Sequence, residues 1–249
     1  MIYAVGDIHG FTDQLDQALA RIEKDGGADA RIVFLGDYTD RGPDSCGVVT
    51  RLLDGVNSDR NWTVLRGNHD RMFCRFVTDG TVQDKRIKTP GLDWLHSRLG
   101  GTDTLRSYGV DTEAADLLAQ AQAKVPPEHL AFLETRPLYL ETEDLIFVHA
   151  GIRPGLALKD QTEDDLIWIR DGFLDHQGPQ EKLVIHGHTA LETPEHFGNR
   201  IDLDGGCGYG RELVPAVFEG SECWLLTKDG RVPLTPPAET ALSLAPREA

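Results

Sequence analysis

Positive charge is scarce in this sequence: 41 acidic residues face 25 basic ones, and the formal net charge is −16. A surface of that sign argues against nucleic acid or an anionic membrane as the main partner. Cysteine is sparse too. Cys46, Cys74, Cys207 and Cys223 stand far apart with no CxxC pair, as expected of reduced thiols in a cytoplasmic protein rather than of a disulfide framework or a zinc ribbon. No apolar run approaches the roughly 18 residues of a membrane span. The opening MIYAVGDIHG enters a strand pattern directly, without the basic stretch and apolar run of a signal peptide. Internal repeats and low-complexity tracts are missing as well.

What is present is a repeated grammar. The 249 residues, 40% of them hydrophobic, suit one α/β domain with a sizeable core. IYAVGDIHG, RIVFLGDYTDRG, WTVLRGNHD, DLIFVHAG and LVIHGHT each begin as a short apolar run suited to a strand buried on both faces. Each then turns at once to Gly and to Asp, His or Asn. Between the first two, Leu15, Leu19 and Ile22 recur at helical spacing, with Thr12 as N-cap and Gly26-Gly27 as stop. VVTRLLDGV repeats the helix, so strand, helix, strand, helix, strand implies parallel pairing through crossovers.

Residues 71–136 read differently. DRMFCRFVTDG, PGLDWLHSRLGG and TEAADLLAQAQAKVPPEHLAFLET are expected to be helical and to form a cap inserted beside the strand ends. After LVIHGHT, the pieces NRIDLDGG, LVPAVFEG and ECWLLTKDGRV are expected to alternate as antiparallel strands with Gly turns. The domain is placed at 1–232, and the Pro- and Ala-rich tail 233–249 is expected to be loose.

Ligands of open α/β sheets bind outside the carboxyl ends of the strands, where loops converge. To that edge the five segments deliver Asp7, His9, Asp37, Asn68, His69, His149 and His188. One strand ending in Gly-Asp is a turn that caps the next helix. Five of them, with imidazoles among the polar groups, point to a site. Carboxylate, imidazole and amide oxygen together suit Mn²⁺, Fe²⁺ or Zn²⁺ better than Ca²⁺, and the lack of thiolates argues against a structural zinc.

Through GDIHG at 6–10, GDYTDRG at 36–42, RGNHD at 66–70, HAG at 149–151 and HGHT at 186–189, the chain resembles the calcineurin-like metallophosphoesterases of the phosphoprotein phosphatase type. It is most similar to their bacterial and phage serine/threonine phosphatases, with further likeness in LIWIRDGFL and IDLDGG. The resemblance implies a four-layer αββα sandwich of mixed sheets with a helical cap. It also implies two divalent ions, Mn²⁺ first with Fe or Zn as alternatives: Asp7, His9 and Asp37 on one, Asp37, Asn68, His149 and His188 on the other. A hydroxide bridging the two would attack phosphorus in line. Arg41 and Arg170 would clamp the phosphoryl oxygens, as a non-titrating fork can. His69 would be the general acid, held cationic by Asp40.

The expected activity is phosphomonoester hydrolysis on a phosphorylated protein or small phosphoester, with oligomeric state open. The first alternative is a diadenosine tetraphosphate hydrolase. Asp70, where eukaryotic members usually carry Glu, is familiar among such hydrolases, but they generally lack the acid matching Asp40. The second alternative is a noncatalytic phosphate-binding module. His186 is taken as a supporting residue, Arg66 as a substrate contact or ion-pair member, and Tyr209 and Cys207 as packing or turn residues. His96, His129, His176 and His196 are placed at surface or helix positions.

Overall fold

The computed structural model describes residues 1–238. Strands β1 (Ile2–Val5), β2 (Ile32–Phe34) and β3 (Trp62–Val64) pair in parallel, with Tyr3 opposite Ile32 and Ile32 opposite Trp62. Helices α1 (Thr12–Gly26) and α2 (Ser45–Asn57) make the crossovers. Thr12 is the first helical residue rather than the cap, because its hydroxyl is drawn across to the Asp44 carboxylate at 2.8 Å. On the other side of β1 lie β9 (Ala216–Glu219), β10 (Glu222–Thr227) and β11 (Gly230–Pro233), all antiparallel, giving the order β11-β10-β9-β1-β2-β3.

The second sheet contains β4 (Tyr139–Glu141), β5 (Leu145–Val148), β6 (Leu183–His186), β7 (Glu195–His196) and β8 (Arg200–Asp202) in the order β4-β5-β6-β8-β7. Here the antiparallel expectation for NRIDLDGG holds on one side only. β8 is antiparallel to β7, with His196 opposite Ile201, but parallel to β6, with Val184 opposite Arg200, because the chain from Gly187 to Asn199 is long enough to return to the same end of the sheet before pairing. β4 is antiparallel to β5, and β9 to β11 form an antiparallel run in the other sheet.

Strand alternation assigns the layers. Ala4, Val33, Phe147, Ile185, Ile201 and Phe218 meet between the sheets, where the Phe147 and Phe218 rings stand edge to face at 5.7 Å. Tyr3, Val5, Ile32 and Phe34 point the other way, into the core that holds Leu15, Leu19 and Ile22 of α1 and Val48 and Leu52 of α2. Ile146, Val148 and Val184 face Leu166 and Ile167 of α7 (Glu163–Trp168). Two mixed sheets are thus flanked by helices, an αββα arrangement.

Helices α3 (Asn68–Asp79), α4 (Gly101–Ser107), α5 (Leu117–Lys124) and α6 (Pro127–Glu134) pack on α2 and on one another. PGLDWLHSRLGG is not helical; it is a series of turns. Asp93 accepts from the N–H groups of Leu95 and His96, and Gly91 and Gly100 adopt left-handed φ of 74° and 87°, so local side-chain bonds and glycine compete successfully with a helix. No helix among the described residues is long and apolar enough to cross a membrane. Residues 239–249 of the expected loose tail lie outside the described residues, and β11 ends at Pro233.

Candidate dimetal active site

The loops after β1, β2, β3, β5 and β6 meet at one edge, and their backbone is strained there. Among the described residues, five of the six non-glycine residues with positive φ are His9 (51°), Asp37 (56°), Asp40 (76°), Arg41 (65°) and His188 (67°). Such conformations cost roughly 1–3 kcal/mol each and persist only where surrounding bonds hold them. Asp70 supplies several of those bonds. Its carboxylate accepts from the N–H groups of Asp37 (3.0 Å), Tyr38 (2.9 Å) and Gly67 (2.9 Å), tying the β2 loop to the start of α3. Burial and the nearby Asp37 raise its pKa to about 6, against the pull of those donors. Gly67 has to be glycine, since a Cβ there would lie 2.3 Å from the Asp37 nitrogen.

Hydrogen bonds on the far side of each imidazole fix what it presents to the site. His9 Nδ1 lies 2.7 Å from the Thr39 carbonyl and His149 Nδ1 3.0 Å from the Leu35 carbonyl. A carbonyl only accepts, so both rings donate from Nδ1 and turn the Nε2 lone pair inward. His149 Nε2 then faces Asn68 Oδ1 at 2.9 Å and Asp37 Oδ1 at 3.3 Å, three acceptors against one another. His9 Nε2 is 3.7 Å from Asp37 Oδ2 and 3.9 Å from Asp7 Oδ2. His188 Nε2 is buried without a hydrogen-bond partner. Lone pairs converging in this way call for a cation, and the donor chemistry fits a divalent transition ion.

Two groups have ligand atoms within 4.8 Å of one another: His9, Asp37 and His69, and Asp37, His149 and His188. Asp37 belongs to both. Although burial opposes its charge, His149 and His69 hold its carboxyl well below the usual range. Asp7 is pushed the other way by burial and by Asp204 and Asp37. Its two oxygens both accept from the His188 N–H at 3.1 Å, so Asp7 sits beside the first group rather than within it.

His69 Nδ1 and Asp40 Oδ2 are 2.6 Å apart. Asp40 also accepts from Trp94 Nε1 at 2.8 Å and Thr104 Oγ1 at 2.7 Å. Arg41 bridges the sites, with Nη1 2.6 Å from His9 Nε2 and Nη2 3.2 Å from His69 Nε2. Burial, then Arg41 and His149, lower the pKa of His69 to about 3 while Asp37 favours its charge, and burial raises Asp40 well above its ordinary value against the Thr104 and Trp94 bonds.

A cavity of about 500 Å³ opens over these groups. Arg41 and Arg170 line it from the body, and Arg86, Lys88 and Arg98 from the turn-rich segment after α3, with Asp37 the one carboxylate. A second cavity of about 310 Å³ adjoins it and adds Thr189, Asp204 and Arg211.

The model for the calcineurin-like phosphoesterases matches residues 1–212. This chain belongs to that family. It is 26% identical to the bis(5'-nucleosyl)-tetraphosphatase PrpE [asymmetrical] of Oceanobacillus iheyensis, over 88% of each chain, and 27% identical to that of Bacillus subtilis, over 86% of this chain and 89% of the other. Among solved structures, a protein provisionally assigned as a diadenosine tetraphosphatase superposes with a TM-score of 0.64 at 23% identity, covering 95% of this chain and 94% of that one. A cold-active protein tyrosine phosphatase gives a TM-score of 0.64 at 17% identity, covering 94% and 78%.

In this calcineurin-like phosphoesterase the ten nominated residues, Asp7, His9, Asp37, Asn68, His149, His188, His69, Asp40, Arg41 and Arg170, gather at one strand edge. Arg170 is not on a strand; it follows α7 and donates to the His188 carbonyl at 3.0 Å. Tyr209, for which a core or turn position was favoured over a place in the pocket, ends a short turn at Cys207–Tyr209, is 61% exposed and lines both cavities beneath Arg41. Cys207 is buried packing. Arg66 pairs with Glu163 at 3.5 Å outside the cavities. His186 sits behind the site, accepting from Arg200 at 3.2 Å. Of the histidines expected at surface or helix positions, His129 lies on α6 but is buried and bonded to Tyr108, and His196 is buried on β7. Trp94, Thr104 and the three basic residues of the wall escape the sequence reading, since none stands in a motif, and Asp204 stands in IDLDGG without having been singled out. A bulky aromatic between two glycine turns is the one signal that marks Trp94.

Proposed function

We propose that this metal-dependent phosphoesterase hydrolyses dinucleoside polyphosphates, with phosphomonoesters as a lesser substrate class. The observation that carries this reading is the cavity itself: five basic side chains face one pocket in a chain of net charge −16. A single phosphoryl group is satisfied by Arg41 and Arg170. Arg86, Lys88 and Arg98 are then left over for further phosphates, each a charge-assisted contact. The exposed ring of Tyr209, with Trp168, Leu92 and Leu99, offers flat and apolar surface for a base. The tetraphosphatase relatives, aligned over most of both chains, support the same choice. The serine/threonine phosphatase expected from the motifs ranks second, because nothing in a phosphoserine residue engages the basic wall.

In this reading Asp7, His9 and Asp37 would hold one ion, and Asp37, Asn68, His149 and His188 the other, with Mn²⁺ assigned and Fe or Zn accepted by the same donors. When bound, the pair supplies charge to polarise the phosphoryl group and acidity to activate water. Arg41 orients the phosphoryl oxygens together with Arg170. Arg41 Nη1 now meets the His9 Nε2 lone pair at 2.6 Å; with His9 holding an ion, that guanidinium would be free for the substrate. His69 Nε2 faces the pocket; bound anionic phosphate would favour its protonated form, and from there it delivers a proton to the leaving oxygen while Asp40 orients its ring.

The test is Mn²⁺-dependent turnover of diadenosine tetraphosphate against a phosphoserine peptide. We expect kcat/KM for the dinucleotide to be at least about tenfold higher, corresponding to about 1.4 kcal/mol of differential transition-state binding. A peptide preference of that size would restore the phosphoprotein reading.

A further inference from the structure

Asp40 is held by more than the histidine it orients. Its Oδ2 takes the Trp94 indole N–H at 2.8 Å beside the 2.6 Å contact to His69, and its Oδ1 takes the Thr104 hydroxyl at 2.7 Å. The Asp40 backbone N–H, in a left-handed conformation with φ of 76°, donates back to Thr104 Oγ1 at 2.7 Å and to Ser45 Oγ at 3.1 Å. Asp40, Trp94 and Thr104 are each 0% exposed. The Trp94 ring packs against Phe73 and Phe76, with centroids 6.1 and 4.9 Å away, on α3, the helix whose first turn carries His69. Gly101 makes room for it, since a Cβ there would come within 2.5 Å of the indole. Indole, carboxylate and helix form a closed triangle with the imidazole inside it.

We propose that Trp94 and Thr104 are positioning residues for proton delivery: they fix both oxygens of Asp40, and through Asp40 the ring of His69, so that the site can expel poor leaving groups. The inference rests on the reading of His69 as the proton donor. In the step concerned, the bond from phosphorus to the leaving oxygen breaks and its electron pair stays on that oxygen, which takes the proton from His69 Nε2. Water supplies the oxygen that joins phosphorus and the proton that returns to Nε2. A nitrophenolate or a phosphate, being a better leaving group, depends less on that proton; a phenolate or alkoxide needs it. Both donors belong to the segment between α3 and α5, the stretch that also builds the basic wall, so one insertion shapes the pocket and completes the acid.

The experiment compares kcat and KM for p-nitrophenyl phosphate and phenyl phosphate in the Mn²⁺-loaded protein. Variants are His69→Asn, Trp94→Phe, Thr104→Val and Thr104→Ser, with folding followed by circular dichroism and thermal melting. Trp94→Phe keeps a ring and loses the N–H; Thr104→Val keeps the shape and loses the hydroxyl. We expect both to lower kcat for phenyl phosphate by about 10–100-fold, with a several-fold smaller loss on p-nitrophenyl phosphate and little change in KM. Thr104→Ser, which retains the hydroxyl, should recover most of the loss. Should Trp94→Phe fold poorly, the two Thr104 variants decide the matter. Equal losses on both esters, or no loss on either, overturn the proposal. If His69→Asn itself fails to discriminate between the esters, the proton-donor reading falls first and this inference with it; if only His69→Asn discriminates, the inference alone is wrong.

Discussion

At the scale of single residues, histidines kept neutral by burial should make the protein sensitive to acid. His186 is fully buried, donates from Nδ1 to the Gly187 carbonyl at 3.0 Å and accepts on Nε2 from Arg200 at 3.2 Å, so its lone pair is engaged. Burial and Arg200 lower its pKa to about 3, against about 6.5 in an unfolded chain. The unfolded state therefore binds a proton below pH 6.5 that the folded state refuses until about pH 3. The stability this residue contributes is complete above pH 6.5 and is lost as pH falls, by about 1.4 kcal/mol per pH unit. Asp70, with its raised pKa, works in the opposite direction, so the wild-type profile alone mixes the two signs. His186→Gln isolates the histidine: in urea titrations with chelator present, the stability difference between wild type and variant should shrink steadily from pH 6.5 to pH 4. Parallel profiles would show that His186 does not titrate as its surroundings imply.

Residue by residue, legibility followed the motifs. Asp37, His149 and His188 were readable because each stands directly after an apolar run, and strand geometry carries such positions to a common edge. Trp94 was not, because its role depends on contacts between segments that share no pattern, and for the same reason the pocket position of Tyr209 ranked below a core or turn one. Sequence shows that a carboxylate is available to His69, but not that Arg41 lies 3.2 Å from its other nitrogen.

At the scale of elements, buried parallel strands were legible because their apolar runs are continuous, while the parallel pairing of β8 with β6 was not, because pairing direction depends on the return path rather than on composition. The segment after α3 shows the limit most clearly. It was expected to be helical, but it is a wall of turns pinned at its stem by Asp84, which is buried and paired with Arg71 at 2.9 Å and Arg75 at 3.0 Å. Lys85 adds a contact to Asp164 at 2.7 Å. Removing one partner of a buried pair is costly, about 3–5 kcal/mol, so the wall has a fixed base from which Arg86, Lys88 and Arg98 reach the cavity. Changing those three residues to Ala together should raise KM for diadenosine tetraphosphate about tenfold or more and flatten its dependence on salt, while KM for phenyl phosphate moves less than threefold, corresponding to about 0.7 kcal/mol or less. Equal effects on the two substrates would mean that the wall does not read the outer phosphates.

At the scale of the whole molecule, a net charge of −16 surrounds a pocket built from arginines, lysine and metal-binding side chains. Distant carboxylates are screened beyond about 8–10 Å at physiological ionic strength, whereas groups in contact with substrate are not. Local sign therefore governs binding, and the acidic exterior discourages other polyanions. The strain in the five left-handed site residues is likewise carried by the whole fold, since Asp70, Thr104 and the two sheets hold it in place. Occupied metal sites should add to stability by mass action, by about 2.7 kcal/mol for each site at a hundred times its dissociation constant.

All of this depends on Asp37 standing between two cations. The most direct test is metal stoichiometry, by titration calorimetry and elemental analysis on wild type and Asp37→Ala, with thermal melting in Mn²⁺ and in chelator as a check on folding. We expect two ions per wild-type chain, a higher melting temperature in Mn²⁺, and weakened binding of both ions in the variant. One ion in the wild type, or two retained at unchanged affinity without the Asp37 carboxylate, would contradict a shared bridge.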